Sequence, residues 1–113
     1  MKIIKDQITI NDLREMSKKM FGNIVKAVVD VEKEIMAVDG ELHADEEMIL
    51  TEDGSRRENV WGINFHPDDS GDDFVEFDSM INLKPHLGNQ TRGVENEKTR
   101  KKIIEIVNKL VKK

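Results

Sequence analysis

The sequence has 113 residues, no cysteine and a formal net charge of -5, with 37% hydrophobic and 36% charged residues. These proportions supply enough apolar side chains for one hydrophobic core and exclude a wholly disordered chain. Without cysteine the protein can form no disulfide, thiolate zinc site or iron–sulfur cluster. No stretch reaches the ~20 apolar residues that cross a bilayer, and the N-terminus carries no signal-peptide pattern, so we expect one cytoplasmic domain over residues 1–113 that does not engage a membrane.

Charge is unevenly distributed along this acidic chain. Residues 30–78 hold 17 of the 23 Asp and Glu residues but only 3 of the 18 Lys and Arg residues. A solvated acidic surface is the interpretation that we favour, and a surface selected for a partner is the alternative. The acidic balance and the lack of an aromatic stacking motif argue against nucleic-acid binding.

A capping box predicts the first helix. Thr9 and Asp12 form a Thr-x-x-Asp arrangement, which can satisfy the free backbone N–H groups of a helix start. Apolar residues then recur at steps of three and four, and Gly22 can take the left-handed conformation that ends a helix. The sequence therefore predicts a helix over residues 10–21.

Strand-forming residues dominate the middle of the chain. The β-branched residues between positions 24 and 38 predict a hairpin with arms near 24–31 and 34–39, joined by a turn at Glu32 and Lys33. A second hairpin is predicted from residues 48–51 and 60–65. A short helix over residues 44–51 is the alternative for its first arm.

The remaining segments predict a loop, further strands and a final helix. Residues 66–73 are rich in Asp, contain Pro67 and Gly71 and predict the loop, and residues 74–83 predict one or two strands. An apolar stripe between Ile103 and Val111, with Asn96 as the cap, predicts the helix. The expected fold is α+β, a single antiparallel sheet of about four to six strands with the N-terminal and C-terminal helices packed on one face.

Glu41, His43 and Asp45 are candidate metal ligands. They stand two residues apart, so an extended backbone would direct all three side chains to one side, where they could bind a divalent cation such as zinc or manganese. The alternative is a half-exposed strand with alternating polar and apolar residues, which is the interpretation that we favour.

The segment 82–93 is the candidate ligand-contact loop. It joins the last predicted strand to the final helix and carries a dense set of amide and cationic donors: Asn82, Lys84, Asn89, Gln90 and Arg92. A loop of this length within a small domain is often functional, and its charges favour a small anionic ligand. The alternative is a structural loop whose Asn and Gln side chains bind their own backbone.

The chain resembles a family of small bacterial and archaeal proteins of unknown function. The resemblance covers most of the chain and rests on five short segments: Glu41-Leu42-His43-Ala44-Asp45, Glu52-Asp53-Gly54-Ser55, Trp61-Gly62, Ile81-Asn82-Leu83-Lys84-Pro85 and Gly88-Asn89. It implies a prokaryotic cytoplasmic protein. It implies no activity, cofactor or catalytic residue.

Two functions are compatible with these patterns. The sequence has no nucleophile elbow, no glycine-rich phosphate loop and no dinucleotide fingerprint. We therefore favour a small binding or regulatory module that takes an anionic ligand or a protein partner. The alternative is a small divalent-metal-assisted enzyme, hydrolytic in type, and the sequence does not decide whether the protein is an enzyme. A rise in thermal stability on adding zinc would favour the metal-assisted enzyme.

Overall fold

A five-stranded antiparallel sheet forms the centre of the fold. The computed structural model describes all residues from 1 to 113. The helices and strands follow in the order β1 (Lys2–Ile4), β2 (Ile8–Thr9), α1 (Ile10–Met20), β3 (Val25–Asp30), β4 (Ile35–Val38), α2 (His43–Glu52), β5 (Val60–Phe65), β6 (Val75–Glu76), α3 (Glu97–Leu110) and β7 (Val111–Lys112). The strand order in the sheet is β1-β4-β3-β5-β6, and β2 and β7 form a separate parallel pair. The predicted α+β class and antiparallel sheet are confirmed.

The central strand β3 pairs along its length with β4 and β5. The register with β4 runs from Ala27 opposite Val38, and the register with β5 runs from Val25 opposite Phe65. The predicted hairpin between positions 24 and 39 is therefore confirmed. Its tight turn places Glu34 at a φ of 58°, where the side chain accepts from Lys102 and Lys109 of α3.

One face of the sheet is covered by both terminal helices. The buried cluster on this face combines Leu13 and Met16 of α1 with Ile103, Ile106 and Leu110 of α3 and with alternate residues of β3, β4 and β5. Local signals begin both helices, since Thr9 and Asp12 bond reciprocally and Asn96 accepts from the N–H of Thr99. The apolar stripes of both helices thus contribute to the larger core, although Met20 and Phe21 at the end of the α1 stripe are exposed.

The other face of the sheet is covered by α2, which corrects the predicted second hairpin. Residues 48–51 are helical, as the alternative for residues 44–51 proposed, and only the 60–65 arm forms a strand. The buried residues of α2 are His43, Glu46 and Leu50, which have helical spacing. Because two of these three are polar, the sequence shows no apolar stripe at this helix.

The predicted strands in residues 74–83 are mostly absent. Only Val75 and Glu76 join the sheet, opposite Phe65 and Asn64, and Met80–Asn82 forms a 3₁₀ turn. This turn packs with α2 on the smaller core, through Ile81. No helix of the protein is long and apolar enough to span a membrane.

Candidate functional site

Asn82, the first residue of the predicted ligand-contact loop, is fully buried against β5. Its Nδ2 donates to the carbonyl oxygens of Gly62 at 3.0 Å and Arg92 at 2.9 Å, and its Oδ1 accepts from the Gly62 N–H at 2.8 Å. The side chain therefore binds the backbone of its own chain on both sides of the amide. Both polar atoms of the side chain are already hydrogen-bonded, so a ligand could bind Asn82 only by breaking one of these bonds.

Lys84 and Asn89 are also buried and bound to backbone. The Lys84 ammonium donates to the carbonyl oxygens of Val60, at 2.6 Å, and Arg57, and lies 4.5 Å from the centre of the Trp61 ring. Burial lowers the pKa of Lys84 because it disfavours the charged form. Asn89 donates to the Asn82 carbonyl at 2.7 Å and accepts from the N–H of Glu95 at 2.8 Å. Both side chains therefore hold the loop in place.

Gln90 and Arg92 are the exposed members of the predicted ligand set. The Gln90 backbone N–H donates to the Glu95 carboxylate, and Arg92 Nε lies 2.7 Å from Asp78 Oδ1. The five residues therefore do not converge on one open surface, since three face inward and Arg92 already has an anionic partner. The structural alternative describes Asn82 and Asn89 well. Anion binding by this loop stays a prediction.

The predicted metal ligands begin the helix that covers the second face. Glu41 is exposed, His43 is the first residue of α2 and is buried, and Asp45 lies on the outer side of that helix. The extended backbone that would align the three side chains is absent, and no group of three or more His, Asp or Glu side chains lies close enough to hold a metal ion. The structure does not bring these residues together, and a metal-assisted reaction stays a prediction.

His43 has a structural partner on the sheet. Its Nε2 lies 2.8 Å from the carbonyl oxygen of Ile63, and since a carbonyl only accepts, Nε2 carries the proton and donates. Burial lowers the pKa of His43, an effect that the hydrogen bond to Ile63 opposes only in part. The neutral imidazole therefore fastens the start of α2 to β5.

Glu46, on the inner side of α2, is a completely buried carboxyl group. Its Oε2 accepts from the Gly40 N–H at 2.9 Å, and its Oε1 has no hydrogen-bond partner. Burial is the main reason why the pKa of Glu46 is raised to about 9. The group is therefore neutral at pH 7. A Cβ atom on Gly40 would lie 2.6 Å from the Glu46 Cγ, so only glycine fits above this carboxyl.

A groove opens on the outer side of α2, next to the β4–α2 connection and the end of α1. Its lining residues are Met1, Met20, Asp39, Gly40, Glu41, Asp45, Met48, Ile49 and Glu52, around a volume of about 480 Å³. We call this surface the methionine groove. Met48 is 59% exposed and Met20 39% exposed, so large apolar side chains face solvent between carboxylates. The sequence did not predict the groove, because its walls come from segments that are distant in the chain.

No lysine or arginine side chain lines the methionine groove. The one ion pair that an acid of the lining forms is that of Asp39, whose Oδ2 lies 3.9 Å from the Met1 ammonium. Glu41, Asp45 and Glu52 form no ion pair, whereas nearby acids such as Glu47 and Asp53 are paired with Arg57 and Lys5. The groove therefore combines exposed apolar surface with uncompensated negative charge, which is an arrangement suited to binding rather than to packing.

Comparisons with known proteins identify a family and no function. No curated protein and no solved structure matches the chain. One family, described as a protein of unknown function (DUF5674), matches residues 2–110. The resemblance to a family of unknown function is thereby confirmed. Because the match covers nearly the whole sequence, the chain belongs to the family DUF5674.

Proposed function

We propose that this chain is a small cytoplasmic binding module of a prokaryotic cell, and that it recognises a protein partner through the methionine groove. The observation that carries the proposal is the lining of that groove, in which Met20, Met48 and Ile49 present apolar surface beside unpaired carboxylates. Exposed apolar patches with a polar rim are typical of protein-binding surfaces. Methionine suits such a surface because its unbranched, polarisable side chain adapts to the shape of a partner.

The hydrogen bonds of the buried polar side chains support a binding function over a catalytic one. His43 and Lys84, whose chemistry could serve a reaction, donate to backbone carbonyls and hold α2 and the 82–93 loop on the sheet. The side-chain amide of Asn82 is likewise hydrogen-bonded to the backbone of Gly62. These side chains hold elements of the fold together, whereas Glu41, Asp45 and Glu52 of the methionine groove form no ion pair and stay accessible to a partner.

The cytoplasmic location is part of the proposal. The protein contains no cysteine, so its fold needs no oxidising compartment. The larger core, which includes residues of both terminal helices and six strands, supplies the stability that disulfides give to many small secreted domains.

Selection of peptides against the protein tests the proposed function. A library of random peptides is selected on the wild type, and enriched peptides are measured against Met48→Gln and Met80→Gln. Met80 is a matched control, since it is 63% exposed and lies outside the groove. We expect Met48→Gln to weaken the enriched peptides and Met80→Gln to leave them unchanged. Equal binding by both variants, or the absence of any enriched peptide, would contradict the proposal.

A further inference from the structure

The exposed face of α2 has a pattern of charged and apolar residues that specifies its partner. Asp45, Met48, Ile49 and Glu52 lie at positions i, i+3, i+4 and i+7, so all four project from one side of the helix. The buried side of the same helix is formed by His43, Glu46 and Leu50. The outward face thus consists of two apolar side chains between two carboxylates, separated by about 10 Å along the axis.

The carboxylates of this face have no partner within the chain. Asp45 and Glu52 form no ion pair, and neither does Glu41 beside them, while the N-terminal ammonium reaches only Asp39. The last turn of α2 contains no basic residue that could offset Glu52. A partner that supplies cations at the same spacing would pair with these carboxylates, and a partner that supplies anions would be repelled by them.

We infer that the methionine groove binds a cationic amphipathic helix of a partner protein. The inference rests on the proposed function and names its partner class. The bound segment carries two apolar residues that pack on Met48 and Ile49. Lys or Arg side chains on either side of that apolar pair, about seven residues apart, reach Asp45 and Glu52. Met1 and Met20, which also line the groove, add apolar contacts to the segment.

Three labelled peptides of about 14 residues test this inference, with helical backbones of Ala and Gln that differ only at four positions. The first has two Leu residues between two Arg residues, the second replaces Arg with Glu, and the third replaces Leu with Ser. Affinity is measured by fluorescence anisotropy at low and high salt. We expect the first peptide to bind most tightly, and its affinity to fall as salt screens the charges.

Matched charge variants locate the contact. The double variant Asp45→Asn, Glu52→Gln removes two charges from the groove, and Asp72→Asn, Asp73→Asn removes two exposed charges outside it. We expect the first pair to weaken the Arg–Leu peptide by roughly tenfold and the second pair to change its affinity little. An equal effect of both pairs would show that only net charge matters, and would overturn the inference.

The outcomes separate this inference from the proposed function. If the Glu–Leu peptide binds as tightly as the Arg–Leu peptide and Met48→Gln weakens both, the groove is a binding site but its partner is not cationic. If none of the three peptides depends on Met48, the cationic helix is overturned, whereas the proposed function fails only if the library-selected peptides do not depend on Met48 either. Concentration-dependent association of the protein with itself that Met48→Gln abolishes would make a second copy the occupant, and would overturn the cationic partner.

Discussion

The side-chain amide of Asn82 pairs with both backbone polar groups of Gly62, as a neighbouring strand would. Gly62 lies opposite Val28 on one side of β5, and β6 reaches only Asn64 and Phe65 on the other side. Asn82 therefore completes the part of the β5 edge that β6 does not cover. Without Asn82, the N–H and C=O of Gly62 would be buried without hydrogen-bond partners, which costs free energy.

Replacing Asn82 by Leu should destabilise the protein strongly. Leu has a similar volume but leaves the N–H and C=O of Gly62 without their partner, at a cost of about 1–3 kcal/mol for each buried group. The free energy of unfolding is measured in urea. Gln90→Leu is the control, because Gln90 is exposed in the same loop. Equal stabilities of the two variants would contradict the role given to Asn82.

Gly62 itself should not tolerate alanine. A Cβ atom there would lie 2.5 Å from the Ser79 Cβ and Oγ and 3.2 Å from the His43 Cδ2, so the 3₁₀ turn or the start of α2 must move. We expect Gly62→Ala to lower the free energy of unfolding by about 1–3 kcal/mol. Gly93→Ala is the matched control, since its Cβ would meet no atom closer than 3.5 Å. A wild-type thermal midpoint for Gly62→Ala would refute this contact.

The elements that could be predicted correctly are those formed by interactions between residues close together in the sequence. The capping box of Thr9 and Asp12 and the cap at Asn96 lie within three residues of their partners, and the β3–β4 hairpin closes over a short turn. The helix α2 was predicted only as the alternative to a strand, because its buried positions include His43 and Glu46. Their burial depends on Ile63 and Gly40, and the Ile63 carbonyl comes from a strand 20 residues away.

The ligand-contact loop over residues 82–93 could not be interpreted from the sequence for the same reason. A run of amide and cationic side chains predicts a ligand site only if those side chains face outward. The direction of Asn82, Lys84 and Asn89 is set by the carbonyl groups of Gly62 and Val60 and by the loop backbone. The methionine groove could not be predicted, because Met1, Met20 and α2 meet only in the folded chain.

The C-terminal helix should contribute to core stability through Ile106. This residue is 1% exposed and belongs to the cluster that α1 and the sheet share, so Ile106→Ala leaves a cavity and should cost about 2–5 kcal/mol. Lys101→Ala, on the exposed side of α3, is the control. A thermal midpoint of Ile106→Ala that matches the control would show that α3 does not stabilise the sheet.

Glu46 should make the protein less stable as the pH rises. Its pKa is raised from an ordinary value of 4.5 to about 9 in the folded state, so between these values the folded protein binds one more proton than the unfolded chain. The free energy of unfolding then falls with pH by up to about 1.4 kcal/mol per pH unit. Glu46→Gln cannot ionise, and we expect it to remove this part of the slope and to exceed the wild type in stability at pH 8.5.

The comparison should be made between pH 7 and 8.5, because two other buried groups act with the opposite sign. The pKa of His43 is lowered from 6.5, so its effect is confined to lower pH, where the unfolded chain binds the extra proton. The lowered pKa of Lys84 makes stability rise with pH towards 10.5, but this effect is common to both proteins and cancels in their difference. Urea unfolding at several pH values gives that difference directly. Parallel curves for the wild type and Glu46→Gln would mean that Glu46 is already ionised in the folded state, and that a charge is buried next to Gly40.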